Sequence, residues 1–403
     1  MAKQALRTNF LLLAGSVLLS LVLAEIAASR FPPGEASRND HKLLCEYDPL
    51  LGWRKIPNAS AVYRTAEYST AEHINSRGIR GPEYPYSKGK GEYRVLILGD
   101  SFAEGYSVGF NDLFSEVLKD RLRAKGVNCQ VINSGTGGYS TDQELLFYQS
   151  EGRKYDPDLV VLMFYENDVW FNSRSKYWSG SKPVFKDVNG RLALSNVPVP
   201  PPGAAGEKTW LGGLKNALYS RSYLYRLLSG LINGPGRSAL RRRGETAGVP
   251  EEFAPWRKTA DPAVDEAWKI TELLIRKLRG AARADKSGLL VFLCPSRASV
   301  YPGVWASTKK EYALPDGAWS PGQPALRLKA ICGRNRIEFL DPTPAFAAEA
   351  AGPRHEALYY ASDGHWNRAG NKLAGDILAG RVYSGVIIKN KNRAAGYKTG
   401  ETR

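Results

Sequence analysis

The stretch "YRVLILGDS", residues 93–101, decides the fold. Its first six residues are typical of a short buried strand, and Gly-Asp-Ser follows without a spacer. Glycine, aspartate and serine are also common turn residues for ordinary backbone reasons. Ser101 is therefore either one more turn residue or a nucleophile exposed at the carboxyl end of a strand. Motifs elsewhere in the chain distinguish these two interpretations.

Four further apolar runs follow this strand, and helical patterns separate them. The runs are "CQVIN" (129–133), "DLVVLMFY" (158–165), "GLLVFLCP" (288–295) and "IEFLD" (337–341). Strands that are apolar throughout and alternate with helices indicate a parallel sheet with helices on both faces. We therefore predict an α/β fold with three α/β/α layers over residues 93–385.

Other segments interrupt or flank this domain. Residues 31–92 are rich in turn formers and are predicted to be an N-terminal extension without a core of its own. An insertion is predicted at about 172–258, with a hairpin turn at Asn189-Gly190. Residues 386–403 have the composition of a disordered tail.

The amino terminus predicts export. The run "NFLLLAGSVLLSLVLAEIAAS", residues 9–29, is almost free of charge over about one membrane-spanning length and follows Lys3 and Arg7. We predict one transmembrane helix within residues 1–30 that anchors the chain to a membrane. A cleaved signal peptide is the alternative, since Ala27-Ala28-Ser29 supplies the small residues that cleavage requires. Either reading places residues 31–403 on the periplasmic or extracellular side.

Charge and cysteine content narrow the class of partner. Lysine and arginine number 56 against 40 acidic residues, a formal net charge of +16, which favours anionic surroundings. Export disfavours nucleic acid as that partner and leaves acidic polysaccharide or a membrane surface. The 4 cysteines do not form a disulfide framework for a chain of 403 residues, and no CxxC or histidine-rich cluster indicates a metal site.

Three polar motifs follow the first three strands. They are Gly99-Asp100-Ser101, "INSGTGGYS" (132–140) and "FYENDVW" (164–170). A serine at a strand exit can act as a nucleophile when backbone N–H groups and a base lie beside it. The glycines of the second motif could bring backbone N–H groups close to a reacting carbonyl, although the same loop could also be a structural turn. A dinucleotide-binding loop is disfavoured, because Ser140 stands where that fingerprint needs its third glycine. Successive strands of a parallel sheet bring these loops to one rim.

The fourth motif, "SDGHWNRAG" (362–370), supplies a base. The chain has four histidines, His41, His73, His355 and His365. Only His365 has an acid two residues before it and a helix start after it, which is the local arrangement that a general base with an orienting carboxylate needs.

These four motifs in this order resemble the SGNH (GDSL) hydrolase family, in its membrane-anchored bacterial type. The resemblance covers about residues 93–385 apart from the insertion, and it implies a flavodoxin-like fold. It further implies that Ser101 is the nucleophile, His365 the base and Asp363 the acid. Ser101, Gly138 and Asn167 would form the oxyanion hole, Gly138 matching as the glycine five residues after Asn133.

Two positions depart from the family pattern. The third motif usually has glycine two residues before the asparagine, where this chain has Tyr165, so the approach to the oxyanion hole is expected to be narrower. The acid usually lies three residues before the histidine, where this chain has Ser362, so Asp363 is one residue closer.

The motifs together with the resemblance predict a serine esterase that hydrolyses acyl esters, and the resemblance implies O-acetyl groups of a cell-envelope or extracellular polysaccharide as its substrate. An acyltransferase with the same Ser-His-Asp site and a catalytically inactive glycan-binding module are the alternatives. The expected partners are an acylated carbohydrate or another ester and the membrane, not nucleic acid. No metal or organic cofactor is implied. Trp170, Trp178 and Trp210 could stack on sugars, although packing alone also explains them.

Overall fold

The computed structural model describes residues 2–30, 44–177, 180–202, 248–259, 261–352 and 356–399, with residues 218, 222–225 and 228 in between. The chain divides into two compact units. One comprises residues 1–40, 64–66 and 203–247, and the other comprises residues 41–63, 67–202 and 248–403. The larger unit contains all four predicted motifs.

A five-stranded parallel sheet forms the centre of the larger unit. Its strands are β5 (Tyr93–Gly99), β6 (Cys129–Asn133), β7 (Leu159–Phe164), β12 (Gly288–Leu293) and β13 (Glu338–Leu340). They lie in the order β13-β12-β7-β5-β6, and every neighbouring pair is parallel. Numbered along the chain, this is the order 2-1-3-4-5 that is typical of flavodoxin-like folds. The predicted parallel α/β fold is confirmed.

Both faces of the sheet are buried, because successive side chains of a strand point to opposite faces. On β5, Val95 and Ile97 belong to one apolar core and Leu96 and Leu98 to the other. This explains why the strands read as continuous apolar runs.

Helices cover each face. The larger unit has ten α-helices among its described residues, namely α2 (Ser101–Glu104), α3 (Phe114–Ala124), α4 (Thr141–Ser150), α5 (Asn167–Phe171), α6 (Pro262–Ala284), α7 (Arg297–Val300), α8 (Pro302–Glu311), α9 (Gln323–Arg334), α10 (Thr343–Ala351) and α11 (Arg368–Thr399). Helices α3 and α11 pack on the core that contains Ile97, and α4, α6 and α9 pack on the core that contains Leu96. The helix α6 begins after Asp261, whose side chain caps it by accepting the N–H groups of Ala263 and Val264.

Short strands make up the segments around the sheet. They are β1 (Cys45–Asp48), β2 (Gly52–Lys55), β3 (Ser60–Arg64), β4 (Ser69–His73), β8 (Lys176–Tyr177), β9 (Gly180–Ser181), β10 (Val184–Val188) and β11 (Arg191–Ser195). They form four two-stranded sheets, β1-β2, β3-β4, β8-β9 and β10-β11. The predicted turn between β10 and β11 is present, with Asn189 and Gly190 both at positive φ. Most of the remaining insertion, from 203 to 247, lies outside the described residues.

The amino terminus forms the helix α1 (Ala2–Arg30). Ser16, Ser20 and Glu25 interrupt its apolar run, and the two serine hydroxyls donate to carbonyls one turn earlier. Across the residues that the structure describes, no helix combines the length and the apolar character needed to cross a membrane. The predicted transmembrane anchor is therefore not supported, and the export of residues 31–403 stays a prediction.

The carboxyl end also differs from its prediction. The helix α11 continues to Thr399, well into the segment predicted to be a disordered tail. Val382 and Val386 are buried in the core on that face of the sheet, so packing carries the helix past Gly380 and Gly385. Tertiary contacts here outweigh the local cost of two helical glycines.

Candidate active site

Ser101 lies where β5 ends and α2 begins. A Cβ atom on Gly99 would lie 2.6 Å from Ala103 Cβ and 2.8 Å from Met163 Cβ, so only glycine lets the chain turn here. Asp100 caps α2 by accepting the Phe102 N–H at 2.9 Å. The Asp100 carboxyl is buried, which raises its pKa to about 6 against the opposing effect of the Phe102 N–H. Ser101 is the first residue of the helix and is partly exposed, as a nucleophile must be.

The structure brings Ser101, His365 and Asp363 into one hydrogen-bonded chain. His365 Nε2 lies 2.8 Å from Ser101 Oγ, and His365 Nδ1 lies 2.6 Å from Asp363 Oδ1. Both distances fall in the range that a nucleophile, its base and an orienting acid require. The acid therefore reaches the imidazole although it lies only two residues before it in sequence.

Asp363 is held by more than the histidine. The Tyr68 hydroxyl donates to Oδ2 at 3.0 Å, and the Tyr106 hydroxyl lies 3.2 Å from the same oxygen. Burial by itself raises the pKa of Asp363, but the hydrogen bond and charge of His365 and the Tyr68 hydroxyl outweigh it and lower the pKa to about 2. The acid is consequently ionised wherever the histidine could act as a base.

The glycine-rich loop after β6 packs directly on α2. Asn133 Nδ2 donates to the Ala103 carbonyl at 2.6 Å, while its Oδ1 accepts the Gly135 N–H at 3.0 Å. A Cβ atom on Gly135 would lie 2.3 Å from the Glu104 nitrogen. The first glycine of the motif is thus a packing requirement, and Asn133 ties the loop to the helix that carries Ser101.

Three groups could stabilise an oxyanion. Ser101 lies at the first helical position, where backbone N–H groups have no partner within the helix. Gly138 has φ of +79°, and its N–H meets no acceptor among the described residues. Asn167 opens α5 two residues after Tyr165, and the Nδ2 of its side chain is the hydrogen-bond donor that could reach an oxyanion. The strand order puts β5, β6 and β7 side by side, so all three groups lie on one rim of the sheet.

A buried cluster of charged side chains also holds the glycine-rich loop after β6. Lys55 on β2 pairs with Glu104 on α2, and it lies 3.4 Å from Glu72 on β4. The other oxygen of Glu104 accepts the Gly137 N–H at 2.5 Å. Lys55, a residue of the N-terminal extension, therefore holds the backbone next to Gly138 through its ion pair with Glu104.

Aromatic rings crowd the site. The Tyr165 ring packs on Phe102 with centroids 4.5 Å apart, and Phe102 lies 4.7 Å from the His365 ring. A Cβ atom on Gly138 would lie 2.9 Å from the Tyr177 ring and 3.3 Å from Trp53. Tyr165 thus packs against Phe102, the residue after Ser101, and the narrower approach to the oxyanion hole stays a prediction.

Other residues considered from the sequence have different surroundings. His73 lies 2.8 Å from Ser60 on the exposed hairpin β3-β4, away from Ser101, and His41 and His355 lie outside the described residues. Trp170 is buried and donates to Glu251 at 3.0 Å, which is a packing role. Trp178 and Trp210 lie outside the described residues. Among the residues described, no group of three or more histidine, cysteine or acidic side chains could hold a metal ion, and all four cysteines are free.

Sequence reasoning missed the residues that support the site. Lys55, Glu67 and Tyr68 lie in the N-terminal extension, and Glu104 and Tyr106 follow the nucleophile. None belongs to a motif, and their partners are far away along the chain. The one available signal was the density of charged and aromatic residues in a segment with no core of its own.

Comparisons with known proteins agree with the resemblance seen in the sequence. Residues 97–209 match the GDSL-like lipase/acylhydrolase family. An arylesterase from Vibrio mimicus is 28% identical over 116 residues, which are 27% of this chain and 56% of the relative, so the match spans little more than half of that protein.

Solved structures with related descriptions align at lower identity. An acetyl xylan esterase shares 12% identity over 72% of this chain and 99% of its own, with a TM-score of 0.37. A lipase/acylhydrolase from Enterococcus faecalis shares 12% identity over 72% of this chain and 96% of its own, with a TM-score of 0.37.

Proposed function

Because residues 97–209 match the GDSL-like lipase/acylhydrolase family, we propose that this chain is a serine esterase in which Ser101 attacks an ester carbonyl. The observation that supports this best is the hydrogen-bonded chain from Ser101 through His365 to Asp363. A serine hydroxyl that merely belonged to a turn would have no need of a histidine whose other nitrogen is paired with an ionised acid.

The proposed reaction has two halves. His365 Nε2 takes the proton of Ser101 Oγ as the oxygen bonds to the carbonyl carbon, and Asp363 stabilises the imidazolium that forms. The N–H groups of Ser101 and Gly138 and the amide of Asn167 bind the oxyanion. His365 then returns the proton to the leaving alcohol, and a water molecule that gives its proton to His365 releases the acid.

We propose a short acyl group, with acetyl as the best candidate. The Tyr177 and Trp53 rings would lie within 3.3 Å of a Cβ atom on Gly138, and the Phe102 ring lies 4.7 Å from the His365 ring, so we expect little room beside the reacting carbonyl. The proposed carrier of the acetyl group is a cell-envelope or extracellular polysaccharide. Aromatic faces next to the oxyanion loop suit the apolar faces of sugar rings, and the net charge of +16 suits an acidic polymer.

The test is covalent labelling with a fluorophosphonate probe, followed by mapping of the adduct by mass spectrometry. We expect the adduct on Ser101 and its loss in His365→Ala. The chain offers a matched control, because Ser60 also lies 2.8 Å from a histidine but on an exposed hairpin. Ser60→Ala should label like the wild type, and a folded protein without an adduct on Ser101 would overturn the proposal.

The acyl group is tested by chain length. Hydrolysis of p-nitrophenyl acetate should exceed that of the butyrate, and the octanoate should be turned over poorly. Release of acetate from an O-acetylated polysaccharide then tests the carrier. Equal turnover of all three esters would contradict the short acyl group and leave the serine mechanism standing.

A further inference from the structure

Glu67, a residue of the N-terminal extension, caps the loop that carries Asp363. Both carboxylate oxygens of Glu67 accept backbone N–H groups of this loop, from Ala361 at 2.7 Å, from Ser362 at 3.0 Å and from Asp363 at 3.0 Å. One side chain thereby satisfies three consecutive N–H groups that would otherwise face solvent. Glu67 directly precedes Tyr68 and the strand β4.

Tyr68 fixes the acid itself. His365 binds Oδ1 of Asp363, and the Tyr68 hydroxyl donates to Oδ2 at 3.0 Å. Bonds to both oxygens from different directions fix the plane of the carboxylate. The Tyr68 ring in turn packs on Tyr360, with centroids 4.8 Å apart, at the start of the same loop.

The short spacing between acid and base explains why such support is needed. Asp363 is separated from His365 only by Gly364, which lies at φ of +84°. Oδ1 accepts from both the His365 backbone at 3.2 Å and the imidazole at 2.6 Å. With both local bonds on one oxygen, nothing within the loop restrains the other.

We propose that Glu67 and Tyr68 are positioning residues for the catalytic acid, so that the N-terminal extension is a working part of the active site. This inference rests on the proposed esterase function. Glu67 sets the path of the loop, and Tyr68, which shares Oδ2 with the more distant Tyr106 hydroxyl, sets the orientation of the carboxylate. Neither needs to touch the substrate.

The test compares Tyr68→Phe with Tyr360→Phe in p-nitrophenyl acetate hydrolysis. Both variants remove one hydroxyl from the same pair of packed rings, but the Tyr360 hydroxyl donates to the Ser107 carbonyl and not to the acid. Loss of a hydrogen bond to a charged group should lower kcat of Tyr68→Phe by about 10-fold or more, with KM within about twofold. Tyr360→Phe should keep both constants.

A double variant separates positioning from general structural support. If Tyr68 acts through the acid, Tyr68→Phe should have no further effect on kcat in an Asp363→Asn background. An equal loss of kcat in both backgrounds would overturn the inference, as would an active wild type with an unaffected Tyr68→Phe. A wild type without esterase activity would instead overturn the proposed function and this inference with it. Glu67→Gln is the second variant, and it should lower kcat without changing KM.

Discussion

Glu72 offers a test of the buried ion cluster, because ionisation of its carboxyl changes how the free energy of unfolding depends on pH. Lys55, Glu72 and Glu104 lie together with exposed side-chain fractions of at most 2%, and the buried guanidinium of Arg80 adds a second positive charge near Glu72. Burial first and the neighbouring Glu104 second raise the pKa of Glu72 from 4.5 to about 7, against the opposing effect of Lys55 and Arg80. Glu72 Oε2 also has no partner among the described residues.

The size of the effect follows from the pKa. In the unfolded chain the carboxyl ionises near 4.5, and in the folded chain near 7. The folded state therefore holds a proton that the unfolded state has lost. The resulting stabilisation is fully present below pH 4.5 and is lost as the pH rises through 7, a decline of about 3 kcal/mol at 1.36 kcal/mol per unit of pKa.

The perturbation is Glu72→Gln, which keeps the shape and removes the charge. We expect urea unfolding of the wild type to lose about 3 kcal/mol more than the variant between pH 4.5 and pH 8. Glu46→Gln is the control, because Glu46 forms an exposed pair with Arg54 at 2.9 Å and should follow the wild type. Parallel curves for the wild type and Glu72→Gln would refute the reasoning.

Three further predictions concern the site and its support. Asn167→Ala should lower kcat for ester hydrolysis by about 10²-fold to 10³-fold, as loss of an oxyanion donor does, and unchanged kcat would exclude that role. Gly135→Ala places a Cβ atom 2.3 Å from the Glu104 nitrogen, so fluorophosphonate labelling of Ser101 should fall sharply; labelling at the wild-type rate would show that the loop can move away without cost. Lys182→Met leaves the buried Asp142 without its ion pair and should cost about 3–5 kcal/mol in urea unfolding, which a loss below 1 kcal/mol would contradict.

The sheet could be predicted from the sequence because its strands are buried on both faces. "CQVIN" became β6 with the same bounds, and the runs predicted at 158–165 and 288–295 became the slightly shorter strands β7 and β12. A short run of apolar residues indicates a buried strand, because a strand covered on both faces needs apolar side chains at nearly every position. Because the first three motifs each follow a strand of this sheet, the sequence also predicted that Ser101 and Asn167 lie on one rim.

The support around the site could not be predicted in the same way. The contact of Tyr68 with Asp363 joins residues 295 positions apart, and the contact of Lys55 with Glu104 joins residues 49 apart. Polar residues in an irregular segment have no periodicity, so nothing in the sequence says which of many tyrosines and lysines turns inward. The end of α11 was missed for a related reason, because only its packing on the core shows why two glycines do not stop it.

The hairpin β3-β4 limits how this protein can evolve by recombination. The matched family segment begins at residue 97, yet two side chains upstream of it, Glu67 and Tyr68, contact the loop around residue 363. A recombination event that exchanged the segment from residue 97 onward would separate an acid from the residues that hold it. The extension and the hydrolase core should therefore be inherited together, and chimaeras joined before residue 44, which keep Lys55, Glu67 and Tyr68 with the core, should be more active than chimaeras joined at residue 93.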